Sequence, residues 1–336
     1  MKIPKRRRGR QSTALAEAYR ADLVAFCEAL EAIDNTLDIK VSSRGWCYAL
    51  EEHGLGKDEF DYAQRLINDC RKSGLLPVDF TASDESRRVD GLLGYVDHTT
   101  PAEEAMYIVD DIWDRVYGYS PIAFWDDQIY YAEMLVEKID LKSIFKPVCS
   151  DFNIPIGNAK GWSDINSRAD MMRRFSKHER EGRRCVLLMC NDFDPGGLAI
   201  SNTIKSNLND LAEAVGWNPD NLIVDRFGLN ADFIESSGLS WIDNLETSSG
   251  KRLDNPKHKD HHKPYVQDYL KKYGVRKCEA NSLVVNVKAG RDLCRDAITS
   301  YVTEEAVEEY DLRINTAQDA VREALPAALK DAADNI

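Results

Sequence analysis

Two aspartates stand one residue apart at the end of the most apolar segment of this chain. That segment, residues 184–190 (RCVLLMC), is followed within four residues by both Asp192 and Asp194. Side chains at positions i and i+2 of an extended chain point the same way, so both carboxylates can enter one cleft. The pair is therefore a candidate for chemistry at the end of a buried strand.

A third carboxylate belongs to an earlier apolar segment, residues 129–138, which carries Glu137 near its end. Three converging carboxylates repel one another, and a divalent cation is the usual remedy. Glu137, Asp192 and Asp194 therefore predict a Mg²⁺ site, with Mn²⁺ as an alternative, because neither His nor Cys lies nearby at metal-ligand spacing. Gly196 and Gly197 could also let a phosphate approach the following helix. The alternative is a helix N-terminus that merely favours acidic residues.

The elements that must position these groups alternate after residue 126. Apolar runs typical of strands alternate with helical patterns, which predicts an α/β fold with a mostly parallel sheet flanked by helices. Functional groups of such sheets gather at the carboxyl ends of the strands. The predicted strands are residues 129–138, 154–159, 184–190 and 221–227, and the predicted helices are residues 141–152, 163–180 and 196–216.

The first third of the chain is predominantly helical. Ser12 could cap a helix that runs to Asp34, and helices over 42–53 and 57–72 precede a short strand over 75–80. Three helices and a strand are the order of a winged helix, which binds DNA, although a small helical packing domain is the alternative. The predicted domains are a basic arm and helix (1–34), a winged helix (35–100), an α/β domain with a linker helix over 101–117 (101–300), and an acidic C-terminal helix (301–336).

Composition limits the class of protein. The net charge is −13, yet residues 2–10 hold six basic side chains and residues 251–277 hold nine against three acidic ones. Such a distribution can place a basic groove in an acidic protein. The eight cysteines are scattered and predict reduced core residues, and no apolar segment suits a membrane. We therefore expect an intracellular protein of the cytoplasm or nucleoid, with no membrane partner, and a phage or plasmid could encode it.

Basic residues in two segments are candidate contacts for DNA phosphates. They are Arg65, Arg71 and Lys72 on the third helix, and Lys257, Lys259 and Lys263 in the loop over 255–265. The same loop holds His258, His261 and His262, which could suggest a metal, but its prolines favour a mobile loop. We expect the basic N-terminus to be a disordered arm, and Glu279 to lie on the surface rather than in the cleft.

Two motifs carry a resemblance to a known family. Glu137 followed by the DxDPxG of residues 192–197 resembles the Toprim domain of type IIB topoisomerases, meaning the A subunit of topoisomerase VI and the related meiotic double-strand-break transesterases. SSRGWCY, residues 42–48, is similar to the (S/T)xRxxYY motif of their winged helix. Lys160, a further candidate contact for DNA, stands where that family has a lysine-glycine turn. The resemblance covers residues 35–300 and is closer still to stand-alone bacterial and phage proteins of this type.

The resemblance implies a reaction. Tyr48 would attack a DNA phosphate to give a 5′-phosphotyrosyl link and a free 3′-hydroxyl, with Arg44 beside the phosphate and the metal on the three carboxylates. It also implies a homodimer that cuts both strands of double-stranded DNA, since the tyrosine of one subunit works beside the Toprim domain of the other. Cys47 replaces the first tyrosine of the motif, and Gly45 occupies a position that is often acidic.

Two other functions remain open on the same scaffold. In a Toprim nuclease the metal activates water and Tyr48 is a packing residue. In a DNA-binding regulator no cleavage occurs. The chain has no ATPase motif, so strand passage would require a separate ATPase subunit.

Overall fold

The computed structural model describes residues 3–6, 12–82, 100–159, 164–247 and 251–333. Its centre is a sheet of four parallel strands in the order β2-β1-β3-β4. The strands are β1 (Tyr130–Val136), β2 (Ile156–Asn158), β3 (Arg184–Cys190) and β4 (Ile223–Gly228). The predicted α/β class and the parallel sheet are therefore confirmed.

Thirteen α-helices accompany the sheet in the described residues. They are α1 (Thr13–Asp34), α2 (Ser43–Glu51), α3 (Phe60–Lys72), α4 (Pro101–Tyr117), α5 (Ile139–Asp151), α6 (Ile165–Arg180), α7 (Pro195–Leu198), α8 (Ile200–Asn209), α9 (Ala212–Val215), α10 (Ala231–Ser236), α11 (Pro264–Tyr273), α12 (Val287–Thr299) and α13 (Glu304–Ala333). Short 3-10 helices cover Lys57–Glu59, Phe124–Asp127, Pro219–Asn221 and Ala280–Val285.

Alternate residues of the strands supply two hydrophobic cores. Val186 and Leu188 of β3 face α5, α12 and the N-terminal helices, whereas Leu187 and Met189 face α6 and α8. This alternation is that of a parallel sheet covered on both faces. The first core runs without interruption from Leu30 of α1 to the sheet, so the N-terminal helices share it with the α/β part.

The predicted strand over 75–80 is wrong. Residues 75–80 form turns, because the backbone amides of Leu75 and Leu76 donate to the carbonyl of Cys70 at the end of α3. Pro77 has no backbone amide proton, so it cannot donate a hydrogen bond to a neighbouring strand. The buried ring of Phe80 stacks on Trp46 instead of joining a sheet. The described residues therefore contain the three predicted helices of a winged helix without the strand that was expected to follow.

Two further expectations need correction. The single helix predicted over 196–216 is three short helices, and Gly216 ends the last of them with a left-handed φ of 71°. Part of the N-terminal arm is ordered, since Ile3 is buried and Lys5 pairs with Glu59. The hydroxyl of Tyr62 also donates to the carbonyl of Pro4. Residues 3–6 therefore pack against α3 and its preceding turn.

The eight cysteines are all free and buried, as predicted. In the ranges described above, no helix combines the length and the apolar character needed to cross a membrane.

Candidate functional site: an acidic cleft at the strand ends

A cleft of about 1270 Å³ opens at the carboxyl edge of the sheet. Glu137 and Asp192 reach it from the ends of β1 and β3, Arg44 from α2, and Glu279 from the segment before α12. Its lining contains eight carboxylates but only four basic side chains. A phosphate would therefore meet net negative charge here unless cations were bound, which favours a site for cations.

The turn after β3 fixes the two aspartates. Asp194 caps α7 by accepting a 2.7 Å hydrogen bond from the amide of Gly197, and Asp192 accepts one of 2.8 Å from the amide of Ala280. A Cβ at Gly197 would lie 2.0 Å from the carbonyl oxygen of Asp192, so only glycine permits this turn. At Gly196 the nearest atom would be 3.4 Å away. The turn thus holds both carboxylates toward the cleft.

Lys138 provides the counter-charge for two of the predicted ligands. Its ammonium lies 2.8 Å from Oε1 of Glu137 and 3.1 Å from Oδ2 of Asp192. Burial works against the charged ammonium, but Asp192 and Glu137 outweigh it and raise the pKa of Lys138 above its usual value. A charged ammonium therefore stands between these two carboxylates.

Burial changes the proton affinity of the aspartates. It raises the pKa of Asp192 to about 6, with Lys138 opposing and Glu137 reinforcing the shift. Burial also raises the pKa of Asp194, against the stabilising hydrogen bond from Gly197. Removing carboxylates from water disfavours their charged form, which is a common property of sites that bind cations or protons.

The three carboxylates fit Mg²⁺ or Mn²⁺ by chemical type, because all are hard oxygen donors in one cleft. In the described part of the chain, however, no three His, Cys, Asp or Glu side chains converge closely enough to hold a metal ion. The ammonium of Lys138 instead contacts Glu137 and Asp192. A metal bound by all three carboxylates would require Lys138 to withdraw.

Tyr48 lies behind the wall of the cleft. Its side chain is fully buried, and its hydroxyl donates a 2.7 Å hydrogen bond to Oε2 of Glu279, which does line the cleft. Burial, reinforced by the charge of Glu279, raises the pKa of Tyr48 well above its usual value of 10.0. In this conformation Tyr48 is a neutral phenol paired with a carboxylate.

Basic groups keep Glu279 ionised. Burial alone would raise its pKa, but Arg44, the Tyr48 hydroxyl and Lys277 together lower it. The guanidinium of Arg44 is 3.4 Å from the Glu279 carboxylate and 5.8 Å from the centre of the Tyr48 ring. Arg44 and Tyr48 occupy one face of α2, as their spacing predicted, and all these groups belong to a single chain.

The position of α2 depends on Asp140, which is buried in the first turn of α5. Its carboxylate accepts hydrogen bonds from the backbone amide and the hydroxyl of Ser42, the cap of α2. A Cβ at Gly45 would lie 2.8 Å from Oδ2 of Asp140, so the glycine permits this close approach. The helix that carries Arg44 and Tyr48 is thereby fixed to the element that follows Glu137.

Most of the predicted DNA contacts lie outside the cleft. Arg71 donates to the carbonyl of Val78 and to Asn68, while Arg65 bonds to the Asp61 carbonyl and Lys72 pairs with Asp69 on the surface of α3. Their side chains are not among those that line the cleft.

The loop before α11 borders the cleft through Leu253 and Asp260, and Tyr265 in the first turn of α11 also lines it. Its lysines, Lys257, Lys259 and Lys263, are exposed, and Lys263 pairs with Asp260 at 2.7 Å. His261 bonds to the Leu253 carbonyl. Lys160 lies outside the described residues.

Sequence reasoning missed three members of the site. The surface location expected for Glu279 is wrong, because an exchange of backbone hydrogen bonds between Phe193 and Cys278 brings it beside the β3 turn. Lys277 arrives by the same contact and lies 3.9 Å from Glu279. Lys138 could have been predicted from the sequence, since it directly follows Glu137 at a strand end. The contact between Phe193 and Cys278 could not, because the two residues are far apart in the chain and no local pattern indicates their pairing.

Comparison of the chain with protein-family models, curated proteins and solved structures finds no match. Its fold and site define an α/β protein with an acidic cleft at the carboxyl edge of a parallel sheet, in which the Lys138 ammonium partly neutralises the carboxylates.

Proposed function

We propose that this chain is a metal-dependent enzyme that binds and cleaves double-stranded DNA, with a Toprim-like cleft and a winged-helix-like N-terminal part. The observation that carries the proposal is the assembly of Glu137, Asp192, Asp194, Arg44 and Glu279 in one cleft, with the Tyr48 hydroxyl bonded to Glu279 from behind the cleft wall. Acidic strand ends supply sites for hard cations, and the adjacent phenol and guanidinium suit a phosphodiester.

Tyr48 is the leading nucleophile. Its oxygen would form a bond to phosphorus while the bond from phosphorus to the 3′ oxygen breaks, which leaves a 5′-phosphotyrosyl link and a 3′-hydroxyl. Glu279 already accepts the phenolic hydrogen bond and would take the proton as the bond forms, while the departing 3′ oxygen would take a proton from water, and Arg44 would contact the phosphate. Glu137, Asp192 and Asp194 would hold Mg²⁺ or Mn²⁺, which when bound neutralises charge on the phosphate.

Attack requires the phenol to reach the cleft. The Tyr48 side chain is 0% exposed, so α2 or the Glu279 segment must shift when DNA binds. A phosphate placed beside Arg44 and Lys277 would compete for the two cations that now hold Glu279. DNA binding could therefore release the tyrosine.

The same burial favours a second candidate, a hydrolytic Toprim nuclease. The carboxylates line the open cleft whereas Tyr48 does not, so water could reach a bound phosphate without any movement of α2. Tyr48 would then be a packing residue whose edge meets Phe60 at 5.1 Å between ring centres.

Each chain holds its own carboxylates in the cleft and its own tyrosine behind the wall of that cleft, so cleavage of one strand needs no residue from another copy. Cleavage of both strands would still require two chains, in keeping with the homodimer that the resemblance implies. Strand passage would require a separate ATPase subunit.

The decisive experiment is incubation with supercoiled plasmid and Mg²⁺ or Mn²⁺, followed by detergent and then by protease in half of each sample. DNA that carries protein until protease is added, lost in Tyr48→Phe and kept in the cleft-lining control Tyr265→Phe, supports transesterification. Protein-free nicks that persist in Tyr48→Phe and disappear in Asp192→Asn support the nuclease. DNA that is bound but stays intact under all conditions rejects both.

A further inference from the structure

The helix α4 exposes an unusual amount of apolar surface. All residues from Pro101 to Asp111 are exposed, including Met106 at 68% and Val109 at 53%, and Trp113 follows at 41%. The remaining large apolar residues exposed on this helix are Tyr107, Ile108 and Tyr117. An isolated apolar side chain on a surface needs no explanation, but a contiguous group of this size marks an interaction site.

The spacing of these residues forms a helical face. Met106, Val109, Trp113 and Tyr117 recur at intervals of three or four residues, which places them along one side of α4. A capping box formed by Thr100 and Glu103 starts the helix, so the start of α4 is set by residues of the helix itself and of its cap. The face is therefore a preformed surface rather than an incidental cluster.

The C-terminal end of α4 contacts α13. Gln318 of α13 donates to the carbonyl of Tyr117 at 2.6 Å, and Arg322 lies 4.9 Å from the centre of the Tyr117 ring. Val116 is the one buried residue of α4. The α13 contact thus anchors α4 at its C-terminus and leaves its first three turns exposed.

The negative charge of α4 and α13 indicates which type of partner would bind. Five acidic residues and one arginine lie on α4, and eight acidic against three basic residues lie on α13. A second copy of this surface would bring like charges together, and an anionic lipid surface would meet the same repulsion. A basic surface would instead be attracted.

We propose that α4 is the docking site for a partner protein that presents an amphipathic helix, with an apolar face bordered by Lys and Arg. Helix recognition through anchors spaced as on α4 is a recurring mode of protein binding. The aromatic side chains Tyr107, Trp113 and Tyr117 are of the type that dominates such interfaces. This inference is independent of the chemistry in the cleft.

The test uses a labelled 18-residue synthetic helix with leucines on one face and lysines on the other, measured by fluorescence anisotropy against the full chain. We expect saturable binding that weakens with added salt. The double substitution Val109→Ser with Trp113→Ser should weaken it at least about tenfold. Ile129→Ser, which removes an apolar side chain that is 72% exposed elsewhere, should leave the affinity unchanged.

Four results would overturn the proposal. The first is equal affinity for a peptide in which glutamates replace the lysines. The second is no binding of the lysine peptide, and the third is binding that the double substitution leaves unchanged. The fourth is a concentration-dependent dimer, seen by sedimentation, that the double substitution converts to monomer, because α4 would then be a self-association surface.

Discussion

Lys138 places a positive charge where the sequence predicted only carboxylates. Its ammonium contacts Glu137 and Asp192, two of the three proposed metal ligands. An ammonium and a divalent cation cannot occupy the same space, so the two compete for these oxygens.

Replacing Lys138 with Met should therefore raise the affinity for Mn²⁺ by roughly tenfold. The measurement is a titration of free Mn²⁺ by electron paramagnetic resonance, without DNA. Lys57→Met is the control, because Lys57 also lines the cleft but contacts Glu51 and Ser240. An affinity that is unchanged or lower in Lys138→Met would reject competition for the site.

Glu279 differs from the other carboxylates because it already accepts a hydrogen bond from the proposed nucleophile. Glu279→Gln keeps a hydrogen-bond acceptor beside Tyr48 but removes the basic oxygen. If Tyr48 attacks the phosphate, we expect the rate of covalent complex formation to fall by about 10²-fold or more, with DNA affinity nearly unchanged.

The rate is measured by single-turnover cleavage of a short labelled duplex. Glu246→Gln, another carboxylate of the cleft lining, should cleave at the normal rate. A normal rate in Glu279→Gln would exclude Glu279 as the proton acceptor, even with the tyrosine confirmed as nucleophile.

His178 is the residue whose titration should be visible in stability. Its ring stacks on Tyr131 with centres 3.7 Å apart, and its Nδ1 lies 3.0 Å from the Arg183 guanidinium and 3.4 Å from the Glu181 carboxylate. The charges of Lys177 and Glu133 also act on the ring. Burial and then the charge of Arg183 lower its pKa below the usual 6.5. The unfolded chain therefore binds a proton more readily than the folded one.

The contribution of His178 to the free energy of unfolding is complete above pH 6.5. It is lost as the pH falls from 6.5 through the lowered pKa that His178 has in the folded chain. Urea unfolding at about pH 5.5 and about pH 8 should show a smaller difference in His178→Gln than in the unaltered chain. The exposed His53→Gln should retain the full difference. Equal differences in all three proteins would contradict the assignment.

At the scale of elements, the turn from β3 into α7 is the most constrained part of the site. Gly197→Ala would place a Cβ 2.0 Å from the Asp192 carbonyl, whereas Gly196→Ala meets its nearest atom at 3.4 Å. We expect Gly197→Ala to lose about 1–3 kcal/mol of stability and to weaken Mn²⁺ binding, with Gly196→Ala close to the unaltered chain. Similar effects of the two substitutions on urea unfolding would show that the turn tolerates a side chain.

The strands that carry Glu137 and Asp192 were predictable because their signals are local. An apolar run such as residues 184–190 gives the strand, and the parallel order of the sheet places the two strand ends at one edge. The spacing of Arg44 and Tyr48 likewise gave their common helical face.

Features that depend on distant contacts could not be read in the same way. The apolar residues of 75–80 suit a strand, yet Phe80 is drawn into the core against Trp46. Glu279 and Lys277 enter the cleft only through the contact of Cys278 with Phe193.

At the scale of the whole molecule, the sequence suggested separate domains, but the hydrophobic core joins them. Leu30 of α1, Trp46 of α2, Val136 of β1 and Ile298 of α12 belong to one continuous cluster. Parts that share a core lose their packing together.

We therefore expect one cooperative thermal transition, with the calorimetric enthalpy equal to the van't Hoff enthalpy. In a variant that keeps Trp46 and replaces the other five tryptophans, fluorescence and far-ultraviolet circular dichroism should give the same urea midpoint, because Trp46 then reports on the N-terminal helices and the dichroism on the whole chain. Two resolved transitions would show that the N-terminal helices unfold independently.

The Phe193–Cys278 contact also determines when, during synthesis of the chain, the cleft can form. On the ribosome, Asp192 and Asp194 are made 84 or more residues before Cys278, so the nascent chain has its acidic strand end long before Glu279 and Lys277 exist. Until then Tyr48 has no carboxylate to hold its hydroxyl, and Asp192 lacks the amide of Ala280. A half-made or truncated chain therefore cannot complete the cleft, and whatever activity the site has begins only after synthesis has passed this contact.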